Sequence, residues 1–181
     1  MIRQVLVVVL TAAYPLLVFF GLAHFEPRHL ALLLALLAFL RALGSQQRFW
    51  WAAAAGALLL AAVSAFANAA LPLKLYPVLV NAVLLGVFGF SLRFPPTAIE
   101  RLARLTEPDL DAHGVAYTRR VTQVWCGFFV LNGSLALATS VWASDRVWAL
   151  YNGLIAYGLI GTLLGGEWLV RRHVRARRAE S

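Results

Sequence analysis

The sequence is poor in charged residues and contains a single lysine, a single cysteine and a single methionine. Charged residues make up 13% of its 181 residues and hydrophobic residues make up 61%, whereas a soluble domain averages about 25% and 45–50%. A soluble chain of this length leaves much of its surface wet and could not hide so much apolar area. The composition excludes an ordinary soluble protein and predicts one integral membrane domain over residues 1–181.

Several familiar chemical motifs are missing as well. Cys126 is the only cysteine, so no internal disulfide can form. The sequence has no G-x-S-x-G motif, no phosphate-binding glycine loop and no cysteine–histidine pairing. We therefore expect a non-enzymatic protein with no catalytic residue and no cofactor.

Two acidic or histidine-rich segments invite a metal-site interpretation. The first contains His24, Glu26 and His29, but Pro27 separates its imidazoles, and we expect an ordinary outer loop. The second, Glu107-Pro108-Asp109-Leu110-Asp111, matches no metal-binding spacing and is interpreted as a solvated loop. No metal ligand is predicted.

Apolar stretches suited to membrane crossing fill most of the chain. A transmembrane helix needs about 20 mainly apolar residues. The predicted fold is an all-α, polytopic transmembrane bundle of six spans, or of five if the second, which is short and contains Arg41, does not cross. The first span is expected to be a retained anchor, because no A-x-A-like cleavage site follows it. The predicted spans are residues 5–24, 29–43, 49–70, 75–92, 122–142 and 147–170.

Basic residues give the predicted bundle an orientation. With both termini cytoplasmic, only Arg28, Lys74 and Arg146 of the 16 basic residues fall outside. By the positive-inside rule this predicts a multi-pass protein of the bacterial inner (plasma) membrane with cytoplasmic N- and C-termini. The formal charge of +8 then indicates contact with membrane lipids, not nucleic acid. The basic tail, residues 171–181, is suited to anionic headgroups.

The longest predicted loop, residues 93–121, lies on the cytoplasmic side. Its Thr97–Glu100 segment has the T-x-x-E form of a capping box. We expect a short amphipathic helix at the membrane interface that ends before Pro108, with Gly114 breaking the chain again. One face of this helix would carry Ile99, Leu102, Ala103 and Leu105.

Polar residues cluster toward the predicted outer ends of the third, fourth and sixth spans. They could form a pocket open to the outside, or the asparagines could bond neighbouring helices while the tyrosines occupy the interface. The second arrangement is the more common one, and mid-span Asn132 is interpreted in the same way. The residues of this predicted pocket are Asn68, Lys74, Tyr76, Asn81, Tyr151 and Asn152.

Two features of the sixth span concern helix packing. Glu167 is followed four residues later by Arg171, a spacing that predicts an ion pair. Gly161 and Gly165 have the small-xxx-small spacing that lets helices approach closely. We expect this contact inside the bundle, with a homo-oligomer as the alternative.

From Lys74 onward, four groups of residues occur in a recognisable order: Lys74-Leu75-Tyr76-Pro77, Phe88-Gly89-Phe90-Ser91-Leu92, Trp125-Cys126-Gly127-Phe128-Phe129 with Asn132-Gly133, and Trp148-Ala149-Leu150-Tyr151-Asn152-Gly153. In these groups the chain resembles a family of small bacterial inner-membrane proteins. Members accompany the ketosynthases and acyl carrier proteins of aryl-polyene and xanthomonadin-type pathways. More distantly it resembles intracellular septation protein A. The resemblance supplies no catalytic residue.

This resemblance implies a non-enzymatic accessory protein that supports an aryl-polyene or acyl-chain biosynthetic pathway at the membrane. An acidic acyl carrier protein or another pathway enzyme could be drawn to the cytoplasmic face by complementary charge. The same arginines could instead fix the topology and touch lipid phosphates. The alternative functions are a small transporter or flippase for a lipid-linked product, and a cell-envelope or septation scaffold. The candidate contact residues for a partner or for lipid are Arg93, Arg101, Arg104, Arg119 and Arg120.

Overall fold

The computed structural model describes residues 14–43 and 48–179, and α-helices account for most of them. The described part of α1 covers residues 14–22. Two longer helices, α2 and α3, pack along one another, α3 also contacts α5, and α5 packs along α7. The later elements are α2 (Pro27–Leu43), α3 (Arg48–Ala67), α4 (Leu71–Lys74), α5 (Tyr76–Arg93), α6 (Ala98–Ala103), α7 (Ala112–Trp142), α8 (Asp145–Leu150), a π-helical segment (Tyr151–Ile155) and α9 (Ala156–Ala179).

Three helical stretches of the described chain are long and apolar enough to cross a membrane, namely Leu71–Arg93, Ala112–Trp142 and Asp145–Arg171. These contain the predicted fourth, fifth and sixth spans. The predicted second and third spans lie in α2 and α3, where the apolar stretch Ala54–Ala67 is shorter than a full crossing. Residues 5–13 of the predicted first span lie outside the described residues. The all-helical prediction is confirmed, and the structure supports three spans of the six.

Many large apolar side chains face outward, and most of the buried side chains are small or polar. Phe66 is 94% exposed and Leu154 is 66% exposed, whereas Ser64 and Thr122 are fully buried. In water this distribution would be unfavourable, because burial of apolar area drives folding there. In lipid, burying apolar side chains between helices brings no such gain, so small and polar residues occupy the helix interfaces instead. The distribution fits a membrane-embedded bundle.

The buried face of α7 shows this pattern most clearly. Its buried residues recur every three or four positions, which places them on one side of the helix, and α7 packs mainly on α5. A Cβ atom on Gly133 would lie only 3.1 Å from that of Asn81, so this glycine allows the two backbones to approach closely. The buried face consists of Gly114, Thr118, Thr122, Trp125, Phe129, Asn132, Ala136 and Ser140.

The start of α7 differs from the prediction. The helix begins at Ala112, ten residues before the predicted span, and its 31 residues extend roughly 46 Å at 1.5 Å per residue. That length exceeds the roughly 30 Å hydrocarbon core, so one end of α7 projects beyond it. The predicted break at Gly114 is wrong, because the Asp111 side chain caps the helix by accepting from the Gly114 N–H at 2.7 Å. Asp111 thus has a structural role in the predicted solvated loop.

Two further predictions about the sixth span need correction. Glu167 forms no ion pair with Arg171 in the described structure; its carboxylate accepts from the Tyr117 hydroxyl at 3.5 Å. A Cβ atom added to Gly161 or Gly165 would have no neighbouring atom within 4 Å among the described residues. The glycines therefore do not pack inside the bundle. The predicted basic tail begins within α9, which continues to Ala179.

Candidate functional site

Two backbone carbonyls accept hydrogen bonds from other helices at the point where α4 gives way to α5. Pro77 has no N–H, so the carbonyl of Leu73, four residues earlier, lacks its usual helical donor. In a bilayer such a group must find another partner inside the protein, because each unsatisfied polar group costs several kcal/mol. We call Leu73, Lys74 and Pro77 the proline junction.

Side chains from three other helices bond to the proline junction. The Tyr14 hydroxyl of α1 donates to the Leu73 carbonyl oxygen at 2.9 Å. The Ser140 hydroxyl of α7 donates to the Lys74 carbonyl oxygen at 2.9 Å, and the indole Nε1–H of Trp148 in α8 donates to the same oxygen at 3.1 Å. Trp148 is 1% exposed and belongs to the core that also contains Tyr14 and Leu73. The junction therefore ties α1, α7 and α8 to the start of α5.

The Lys74 side chain adds an electrostatic link at the same place. Its ammonium group forms an ion pair with Asp145, the first residue of α8. The side chain of Lys74 is 13% exposed and that of Asp145 is 55% exposed, so solvent reaches one partner of the pair. Asp145 also lies in the first turn of α8, where a negative charge is favourable. The ion pair holds the first residue of α8 beside the proline junction.

A buried amide network lies deeper in the bundle. The Asn132 Nδ2–H of α7 donates to Asn81 Oδ1 of α5 at 3.1 Å, and the Tyr151 hydroxyl donates to Asn132 Oδ1 at 2.9 Å. Asn81 in turn donates from Nδ2 to the Pro77 carbonyl oxygen at 2.8 Å. We call Asn81, Asn132 and Tyr151 the amide network. It connects three elements and ends on the proline junction.

Asn152 belongs to a separate contact. Its Nδ2 donates to Thr139 Oγ1 of α7 at 3.2 Å and to the Trp148 carbonyl oxygen at 2.9 Å. Tyr151 and Asn152 open the π-helical segment, and both are buried. A π-helical turn inserts one extra residue, and such turns often occur at functional sites. Here it lets two consecutive side chains bond inward to α7.

The other two residues of the predicted pocket are elsewhere or make other contacts. Asn68 ends α3 in a left-handed conformation with φ of 48°, and its Oδ1 accepts from the Arg28 backbone N–H at 3.4 Å. The Ala69 N–H bonds back to the Ser64 carbonyl at 3.2 Å, as in a Schellman motif. The Tyr76 ring lies 4.2 Å from that of Tyr14, between centroids.

The structure therefore brings Lys74, Tyr76, Asn81, Tyr151 and Asn152 into one region and leaves Asn68 at the end of α3. Within the described residues, every buried side-chain nitrogen or oxygen has a hydrogen-bond partner. The polar groups of this region therefore form hydrogen bonds with one another. Sequence reasoning did not identify its remaining members. They are Tyr14, Thr139, Ser140, Asp145 and Trp148.

A second region, formed by the loop after α5, gathers the predicted contact arginines. We call residues 93–111 and the first three turns of α7 the basic platform. The predicted capping box is confirmed: Thr97 Oγ1 accepts from the Glu100 N–H, and Glu100 Oε2 accepts from the Thr97 N–H, each at 3.3 Å. Ser91 joins the loop to α5, since its Oγ accepts from the Ala98 N–H at 2.9 Å.

Three of the arginines hold the basic platform together. Arg101 Nε donates to the Pro96 carbonyl at 2.9 Å, and Arg119 donates to the Leu92 carbonyl at 3.1 Å. Arg104 forms an ion pair with Glu100 at 2.9 Å and also donates to the Pro108 carbonyl at 2.9 Å. The Glu100 side chain is only 6% exposed, so it needs this compensation.

Arg93 and Arg120 have a different position in the basic platform. The Arg93 guanidinium lies 5.5 Å from the centroid of the neighbouring Phe94 ring, and both residues are exposed. Arg120 is exposed on the third turn of α7. The side chains of these two arginines are therefore exposed at the surface of the platform.

The predicted apolar face of α6 is divided in the structure. Ala103 is buried, whereas Leu102 is 60% exposed and Leu105, just after the helix, is 80% exposed. The helix ends at Ala103, which is earlier than its apolar pattern predicts. The buried Glu100 occupies the inward position because its capping bonds and Arg104 pairing hold it there. The two leucines thus remain on the outer surface of the platform.

The arrangement offers an ordered surface with five arginines and four acidic residues at one end of the bundle and a closed polar interior at the other. A scan against family models gives no match for this chain, and searches of curated proteins and of solved structures give none either.

Proposed function

We propose that this chain is a six-span protein of the bacterial inner membrane, with both termini cytoplasmic, that serves as a non-enzymatic accessory protein of an aryl-polyene or acyl-chain pathway. The outward-facing apolar side chains and the three membrane-length helices support the membrane location. The distribution of arginines supports this orientation, in which the basic platform faces the cytoplasm.

One observation carries the accessory role: the loop after α5 is built into a fixed surface by its own hydrogen bonds. Glu100, Arg101, Arg104 and Arg119 are engaged in holding that surface. A loop that only joined two spans would not need a capping box, a partly buried ion pair and three guanidinium–carbonyl bonds. Fixing the loop reduces the conformational entropy that a partner must pay on binding.

Charge and exposed apolar side chains indicate the partner that this surface suits. Arg93 and Arg120 present positive charge, and Leu102 and Leu105 lie exposed on the same platform. An acidic acyl carrier protein would meet complementary charge, which accelerates encounter. The leucines would supply the apolar centre that specific interfaces require.

The test is binding of purified acyl carrier protein from the organism's own pathway to the detergent-solubilised chain. Arg93→Glu together with Arg120→Glu should weaken binding and reduce its salt dependence, because neither arginine is used to hold the loop. The matched control is Arg28→Glu, which reverses a charge at the predicted opposite face. Equal binding by the double variant and the wild type would refute the proposed partner.

The orientation needs its own measurement, because it determines which face a cytoplasmic partner can reach. Reporter fusions after residue 110 and at the C-terminus should both be active in the cytoplasm. A periplasmic position for either fusion would reverse the proposal.

A small transporter for a lipid-linked product is the second candidate, and the interrupted helix at the proline junction favours it. Transporters often place substrate sites at discontinuous helices. For this function the amide network would have to open during transport. Asn81→Leu with Asn152→Leu should then block export and spare synthesis of the product, with Ser134→Ala as the exposed control on α7.

A further inference from the structure

We propose that the groove between α1 and the α8–π segment binds one anionic phospholipid, with its headgroup at Arg146 and one acyl chain along the apolar floor. The groove encloses about 510 Å³ and is open along one side. Its walls include Leu16 and Phe20 of α1 and Leu150 and Leu154 of the opposite wall. This inference requires the membrane location but not the proposed accessory role.

The dimensions of the groove suit an acyl chain. Arg146 and Leu154 are eight residues apart, which corresponds to roughly 12 Å at 1.5 Å per helical residue. One leaflet contributes roughly 15 Å of hydrocarbon to the bilayer core. A chain lying in the groove would therefore run beside protein for most of its leaflet.

The floor of the groove is set by a close approach of the two walls. A Cβ atom on Gly153 would lie 3.3 Å from the Leu16 Cδ2 atom. The glycine thus allows α1 to rest directly on the π-helical segment. Phe20 at 62% exposure and Leu154 at 66% exposure then form the rims. This shape leaves an apolar channel between two ridges.

Charge decides which amphiphile fits. Arg146 is exposed and is the charged residue among those that line the groove. The other two cations of the predicted outer side form ion pairs within the protein: Lys74 with Asp145, and Arg28 with Glu26. Among the described residues no carboxylate forms an ion pair with Arg146. A phosphate group supplies the missing acceptor, because guanidinium binds phosphate in a two-pronged geometry.

The arrangement therefore matches a molecule with an anionic head and an apolar tail. A zwitterionic phospholipid carries its own ammonium group beside the phosphate and gains less from Arg146. Phosphatidylglycerol carries a net negative charge and is the form that the guanidinium favours.

The experiment uses the full chain in lipid nanodiscs containing phosphatidylglycerol with a photoreactive group in its acyl chain. After illumination, mass spectrometry locates the labelled residues. Labelling should concentrate on both walls of the groove, around Phe20 and Leu154. The lipid-exposed residues Phe90 and Leu164 provide the background.

Arg146→Gln should lower groove labelling roughly fivefold, from about 1 kcal/mol for each basic residue beside anionic lipid. Arg146→Lys should keep most of it, and Arg28→Gln should leave it unchanged. If Arg146→Gln does not fold, the Arg146→Lys protein and the lipid comparison below still provide the test.

Three outcomes would overturn the proposal. Equal labelling by photoreactive phosphatidylcholine would show that the headgroup is not recognised. Labelling at the groove no stronger than at Phe90 and Leu164 would show ordinary surrounding lipid. Disulfide-linked dimers of a Phe20→Cys or Leu154→Cys variant would show that a second copy of the chain occupies the groove.

Discussion

Replacing Asn132 by alanine tests whether the amide network holds α5, α7 and the π-helical segment together. The substitution removes the bond to Asn81 at 3.1 Å and the bond from the Tyr151 hydroxyl at 2.9 Å. Hydrogen bonds between transmembrane helices contribute roughly 0.6 kcal/mol on average and about 1.7 kcal/mol at most. The expected loss is therefore about 1–3 kcal/mol, and burial of the abandoned Tyr151 hydroxyl favours the upper half of that range.

The free energy of unfolding can be measured by titration with denaturing detergent in mixed micelles. Ser134→Ala is the matched control, because Ser134 lies on the exposed side of α7 and bonds only to the Val130 carbonyl of its own helix. We expect that control to change the free energy of unfolding by less than about 0.5 kcal/mol. Both substitutions lie in α7, Asn132→Ala on its buried face and Ser134→Ala on its exposed face.

A double-mutant cycle with Tyr151→Phe separates the bond from the loss of packing. If the Tyr151 hydroxyl bonds to Asn132 as described, the two substitutions should couple by about 0.5–1.5 kcal/mol. Additive effects would refute this bond. An Asn132→Ala protein as stable as Ser134→Ala would refute the structural role of the whole network.

Three further substitutions test individual contacts, each through the same unfolding titration. Asn68→Ala should destabilise by about 1–2 kcal/mol, because alanine is unfavourable in the left-handed conformation, while Asn68→Gly should stay within about 0.5 kcal/mol; equal effects would contradict the helix-ending role. Trp148→Phe should cost about 1–2 kcal/mol by removing the indole bond to the Lys74 carbonyl, and no loss would mean that another donor serves that oxygen. Asp145→Asn should cost less than about 1 kcal/mol and lose its effect in high salt, because Asp145 is more than half exposed; a large, salt-independent loss would show that the pair is buried.

The sequence was sufficient where structure depends on nearby residues. The capping box at Thr97 and Glu100 involves positions three residues apart, so the pattern alone predicts its bonds. The fourth, fifth and sixth spans were recognisable because lipid selects for apolar length. The role of Asn132 as a helix-to-helix donor also followed from its mid-span position.

Long-range contacts account for what the sequence did not predict. Hydropathy marks where a helix meets lipid and does not mark where it begins, so the start of α7 at Ala112 was missed. Arg101, Arg104 and Arg119 looked alike as loop charges, and only the folded loop shows that they bond to carbonyls or to Glu100. The roles of Tyr14 and Trp148 depend on carbonyls that lie 59 and 74 positions away along the chain.

The proline junction has a consequence for how the helices find their places. Pro77 leaves the Leu73 carbonyl without its usual donor, and Tyr14 of α1 bonds to that carbonyl. Ser140 of α7 and Trp148 of α8 bond to the next carbonyl, that of Lys74. If α7 slid by one turn, Ser140 would be carried away from the Lys74 oxygen, into a medium that offers no water as a substitute. The proline junction thereby favours the native helix register during assembly, because a misaligned bundle leaves a carbonyl without a donor. Apolar contact alone could not provide that selectivity in lipid.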